Sequence, residues 1–163
     1  MNTLKSLMDF SLKLVLAGTL TFCIASLLHS QMTLSKLIAV GVDIPLKSRL
    51  TTVAQDFVGL LPTYGLIILF ALLIAMLVTL MLLRLLQRTQ ANNIWVFALA
   101  GAVAMAVTLM AMQPILNVTI ISGARGTWGL TAQCIAGAFG GALFGYLHRR
   151  KAVEALKLNQ SKS

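Results

Sequence analysis

The sequence predicts an all-α membrane protein: four transmembrane helices in a compact bundle, both chain ends cytoplasmic, and a short helix on the outer surface between spans one and two. Three observations predict it. Four apolar runs, approximately 10–28, 58–83, 94–112 and 130–147, each approach the ~20 residues a helix needs to cross a bilayer. Charge is scarce: 10% of the 163 residues are charged and 58% are hydrophobic, with a mean hydropathy of +0.90, whereas roughly 25% of a soluble domain is charged. The bases are also unevenly shared between the two sides. Lys5, Lys13, Arg84, Arg88, Arg149, Arg150, Lys151, Lys157 and Lys162 fall on one side, and Lys36, Lys47, Arg49 and Arg125 on the other. Cytoplasmic loops concentrate Lys and Arg, so this asymmetry places both ends in the cytoplasm. The whole chain, 1–163, then reads as one transmembrane domain with a basic tail at 151–163.

Residues 1–13 form an interfacial lead-in, with Lys5 and Asp9 spaced i,i+4 on its polar side. A basic start before an apolar core also resembles a secretory signal. No A-x-A site follows Leu28, which favours an uncleaved helix. The stretch 32–40 reads as a short helix lying on the outer interface, ended by Gly41 and by the extended turn that Pro45 imposes. A second helical signal starts near Lys47–Leu50 and has one wet face. Span two is long and carries Pro62 and Gly65 near its outer end, where a proline is tolerated at a helix start or makes a kink. The short polar turn at 87–93 makes spans two and three an antiparallel hairpin. Trp95 opens span three at headgroup level, and Gln113-Pro114 closes it. Span four ends at Tyr146, His148, Arg149 and Arg150, which are interface anchors.

Small residues recur every four positions at Ala98, Ala102 and Ala106 and at Gly137, Gly141 and Gly145. Such stripes let helix backbones approach closely where lipid removes the hydrophobic force between helices. They serve either packing of spans three and four within one chain or contact between copies. Gln55–Gly59 and Gln133–Gly137 share the pattern Q-x-x-x-G, a two-identity hint of a parallel duplication.

The richest candidate for chemistry is the loop 120–129. Glycines there allow close backbone approach, and N–H groups beside a guanidinium cradle carboxylate or phosphate. Ser122, Arg125 and Thr127, with Lys47 and Arg49, are the candidate anion or headgroup residues, and Asp56, Gln133 and Gln113 form a supporting polar rim. The plainer alternative is a turn whose arginine meets lipid phosphates and whose Trp128 belongs to the aromatic belt.

Other chemistries find little purchase. His29 and His148 are expected on opposite sides, with no ligand spacing around either, so no metal is expected. Asp9, Asp43, Asp56 and Glu154 are placed outside the spans, which leaves no intramembrane acid–base pair and disfavours charge-coupled transport. The hydroxyls within the spans, such as Thr19, Thr21, Ser26, Thr79 and Thr108, are expected to bond back to their own helices. Cys23 and Cys134 differ in depth and form no C-x-x-C, so each reads as a packed thiol. The bases do not form a stripe interleaved with aromatics, which excludes nucleic acid. The expectation is a non-enzymatic, multi-pass protein of the bacterial cytoplasmic membrane in an accessory or binding role. It has no cofactor, and its partners are the lipid bilayer and a homo-oligomer or larger membrane complex. The alternative is a small oligomeric transporter or channel. The Asn117-Val118-Thr119 sequon matters only in a eukaryotic secretory pathway.

Overall fold

A computed structural model describes residues 2–39, 46–86, 94–116 and 127–160. Its elements are α1 (Asn2–Ala39), α2 (Leu46–Leu60), a π-helical turn (Leu61–Gly65), α3 (Leu66–Leu85), α4 (Ile94–Leu116) and α5 (Thr127–Gln160). Four segments are long and apolar enough to cross a membrane: Ser6–Met32, Leu50–Leu85, Ile94–Ala111 and Trp128–Lys151.

The helices run further than the apolar runs that seed them. The separate outer-surface helix expected at 32–40 is instead the end of α1, which is continuous for 38 residues. No glycine or proline lies between Leu28 and Gly41, so nothing interrupts the backbone ladder where the side chains turn polar. At 1.5 Å per residue α1 is roughly 57 Å long, well beyond the ~30 Å hydrocarbon layer. Likewise α4 passes through Pro114 to Leu116, since a proline in the last turn forfeits one backbone bond without unwinding that turn. The basic tail prolongs α5 to Gln160.

Between α2 and α3 the chain stays helical. Leu60 (φ −80°, ψ −22°) and Leu66 (φ −64°, ψ −43°) flank the π turn in ordinary right-handed conformation. Pro62 explains the turn: its ring would collide with the carbonyl four residues back, and the wider π register relieves that contact. Inward positions run 56, 60, 64, 68, 72 and 76 across the join. A plain α-helix drifts by about 40° at each four-residue step, and the wider turn takes up part of that drift.

Helix α5 packs on both sides, most extensively against α4 and then against α1; α3 lies on α4, and α1 also meets α2 and α3. The α4–α5 seam is backbone on backbone. A Cβ on Gly101 would stand 2.2 Å from the Gly137 carbonyl oxygen, and one on Gly141 would stand 2.1 Å from the Phe97 carbonyl oxygen. On α4 the close approaches are therefore at the Phe97 carbonyl and at Gly101. The buried stripe is Phe97, Gly101, Met105 and Leu109, while Ala98, Ala102 and Ala106 flank it half-buried. Gly145 abuts the Phe97 ring. The opposite side of α5 meets α1, where a Cβ on Gly140 would strike Thr21.

Aromatic contacts fill the space the glycines leave. Phe144 meets Phe10 edge-on with ring centroids 5.4 Å apart, and Phe97 at 5.7 Å. Phe22 meets Phe57 at 4.9 Å. His148, read from sequence as an interface anchor, is half-buried and stacks on Phe144. Cys23 and Cys134 are free thiols. Asp9, spaced beside Lys5 in sequence, bonds Lys151 of α5. Phe70, Ile74 and Met81 of α3 and Leu99, Val103 and Met110 of α4 are exposed, and Ile74, Leu99 and Val103 line a groove between the two helices.

Substituting Gly137 or Gly101 with Ala inserts a methyl where a carbonyl stands, and overpacking of this kind costs about 1–3 kcal/mol. Gly59 has open space around its Cβ position, so Gly59→Ala should stabilise by about 0.5–1 kcal/mol through helix propensity. Denaturant unfolding of the three variants in detergent micelles checks both signs.

Candidate functional site

Polar side chains collect in one turn of α1. Among the described residues, the buried polar groups are Thr21, Ser26, His29, Ser30, Thr79 and Gln133. Ser26, His29 and Ser30 share a face by their i, i+3, i+4 spacing. Two other elements reach toward the same stretch.

The first is α5, through Gln133. Its Oε1 accepts a hydrogen bond from the Tyr64 hydroxyl at 2.9 Å, and its Nε2 donates to the Ala25 carbonyl at 3.1 Å. Tyr64 is 1% exposed and Gln133 2%. One amide thus ties α5 to both α1 and the π turn, and the inward position of Tyr64 within that turn makes the bond possible. The second is α2, through Asp56, whose Oδ2 accepts a hydrogen bond from the Ser30 hydroxyl at 3.0 Å. The Ser30 proton directed at the carboxylate fixes both side chains. Ser26 Oγ is buried without a hydrogen-bond partner among the described residues.

Asp56 stands near the start of the apolar helical stretch Leu50–Leu85, and His29, near the end of Ser6–Met32, is buried. The other hydroxyls bond back to their own helices: Thr19 to Val15 O at 2.8 Å, Thr21 to Ala17 O at 2.9 Å, Thr79 to Ala75 O at 2.7 Å and Thr108 to Ala104 O at 2.7 Å. Their polarity is thereby spent locally.

Of the rim chosen from sequence, the structure brings Asp56 and Gln133 onto one stretch of α1. Arg125 and Ser122 lie outside the described residues. Thr127 is the first residue of α5, Lys47 and Arg49 stand in the first turn of α2, and Gln113 is in the last turn of α4; the side chains of these four lie outside the described set. The two Q-x-x-x-G segments occupy different environments. Gln55 and Gly59 are exposed, whereas Gln133 and Gly137 are buried at helix contacts.

Sequence reading missed Ser30 and Tyr64 as partners. A signal existed for Tyr64: a tyrosine two residues after a proline, inside an apolar run, needs a partner for its hydroxyl. Ser30 had none, because its role depends on which helix lies opposite. Among the described residues, no three His, Cys, Asp or Glu side chains converge as metal ligands. No family model, curated protein or solved structure matches the chain.

Tyr64→Phe and Gln133→Leu should each destabilise by about 1–2 kcal/mol, because each strands the other's buried polar group. Together they should show a coupling of about 0.6 kcal/mol and at most about 1.7 kcal/mol, the range for hydrogen bonds between membrane helices. A double-mutant cycle by denaturant unfolding measures it; strict additivity would mean that the bond does not join these helices.

Proposed function

We propose that this chain is a non-enzymatic, multi-pass component of the bacterial cytoplasmic membrane with a binding or accessory role, and that its functional surface is the outer polar end. The observation that carries this reading is the convergence of Asp56 with Ser30, and of Gln133 with Tyr64, on one stretch of α1. Polar groups within membrane spans are costly and mark functional positions. Here they gather toward one end, while Thr19, Thr21, Thr79 and Thr108 bond back to their own helices. In this orientation both chain ends face the cytoplasm, as the distribution of Lys and Arg favours.

The ligand class that fits this end is an anion or a lipid headgroup, held by the basic and glycine-rich loop of Arg125 with Ser122 and Thr127, and by Lys47 and Arg49 at the start of α2. Asp56 and Gln133 support the rim from below, as hydrogen-bonded side chains rather than as direct anion ligands. The alternative of an oligomeric transporter or channel draws less support. The glycine stripe that would serve contact between copies is occupied by α4 of the same chain.

Two measurements test the proposal. Reporter fusions after Ser163 and within 87–93 should both report cytoplasm; an external signal at either overturns the orientation. Calorimetric titration of the full chain in phosphatidylcholine nanodiscs with glycerol 3-phosphate should show binding that Arg125→Ala weakens tenfold or more. Equal binding by wild type and variant removes the loop from the site.

A further inference from the structure

The opposite end of the molecule carries a second site, independent of the outer rim. Where α1 begins its span and α5 ends its own, a cavity of about 290 Å³ opens between the two helices, lined by Asp9, Leu12, Lys13, Leu16, Leu147, Arg150 and Lys151. The spacing of Asp9, Leu12, Lys13 and Leu16 puts all four on one face of α1, and Leu147, Arg150 and Lys151 share a face of α5 in the same way.

The cavity has two chemistries in a definite order. Three cations and one carboxylate line it. Lys13 is half-buried and within electrostatic reach of both Asp9 and Lys151. Asp9 is bonded to Lys151, and Lys13 and Arg150 complete the charged lining. One turn deeper than Lys13 on α1 lies Leu16, and one turn deeper than Lys151 on α5 lies Leu147; Leu12 stands level with Lys13, and both Leu12 and Leu16 are exposed at the helix surface. A basic mouth over a leucine wall, between two membrane helices at the bilayer boundary, complements a molecule with an anionic head and an apolar tail. Basic pockets between spans bind anionic headgroups in this manner.

We propose that this cavity is a binding site for an anionic phospholipid, its phosphate held by Lys13, Arg150 and Lys151 and an acyl chain laid along Leu12, Leu16 and Leu147. The volume suits a phosphate with a glycerol-sized head, and the leucines offer apolar contact to a chain attached to it. The role of Asp9 follows from its position. It holds Lys151 at the cavity and subtracts one charge, which moderates the attraction for an anionic head.

Native mass spectrometry of the full chain, titrated separately with phosphatidylglycerol and with phosphatidylcholine of the same acyl chains, reads the preference directly. Wild type should bind the first phosphatidylglycerol at least tenfold more tightly than phosphatidylcholine. Lys13→Gln leaves the Asp9–Lys151 pair in place and should reduce that preference about fivefold, the effect expected of one basic residue at a membrane surface. Lys13→Arg should restore it. Asp9→Asn should increase the preference, the opposite of what loss of structure would do. The proposal is overturned by equal binding of the two lipids by wild type, by an unchanged preference in Lys13→Gln, or by glycerol 3-phosphate displacing the lipid at equimolar concentration. The last would identify a site for free phosphate instead of lipid. Displacement by a poly-glutamate peptide at equimolar concentration would likewise overturn it in favour of an acidic protein segment.

Discussion

The approach of α5 to α4 at Gly101, Gly137 and Gly141 is the contact on which the rest of the structure depends. Lipid tails are as apolar as leucine, so burying leucine against leucine does not drive helices together in a bilayer. Close packing must supply the attraction, and dispersion falls off steeply with a gap of even a fraction of an ångström. Glycines on both helices remove the side chains that would hold the backbones apart. The same helix repeats the device toward α1 through Gly140, so α5 is clasped from two sides. Phe144, between Phe10 and Phe97, then fills the space beside the seam.

With α5 held in place, the polar contacts become comprehensible. Gln133 is five helix positions or fewer from Ala136 and Gly137, so the seams that fix those residues also fix its depth and direction. It can then bond both the Ala25 carbonyl and the Tyr64 hydroxyl. The π turn at Pro62 plays a matching part on the other side, since it lets 56, 60 and 64 all face inward along a helix that would otherwise rotate away. A backbone irregularity forced by one proline thus lets the Tyr64 hydroxyl reach Gln133 of α5 and the Asp56 carboxylate meet Ser30 of α1.

The two ends of the molecule use charge differently. Near Ser30 and Gln133 polar side chains are turned inward, and Asp56 with Ser30 and Gln133 with Tyr64 are bonded to one another. At the other end Lys13, Arg150 and Lys151 stand at a cavity that opens beside leucines. The first arrangement stiffens the junction of three elements. The second gathers charge where α1 and α5 meet beside those leucines.

Much of this was legible in the residues. The apolar runs announced four spans, the stripe Gly137, Gly141 and Gly145 announced a close contact, and Pro62 announced an irregularity in span two. Helix ends were less legible, because polar residues such as His29-Ser30-Gln31 mark where hydrocarbon ends but do not stop a helix. On α4 the glycine stripe meets Ala98 together with Phe97 and Gly101, and the single Gly101 was not legible because it breaks the regular spacing of Ala98, Ala102 and Ala106. The candidate site was half legible: Asp56 and Gln133 stood out as polar residues beside apolar runs, but Ser30, Tyr64 and Ala25 did not. By itself the sequence determined that the chain is helical and suited to lipid, because composition and run length act locally. Only the tertiary structure decided which faces meet and which polar groups pair, because those depend on the rotation of each helix about its axis, and that rotation is set by neighbours far away in the chain.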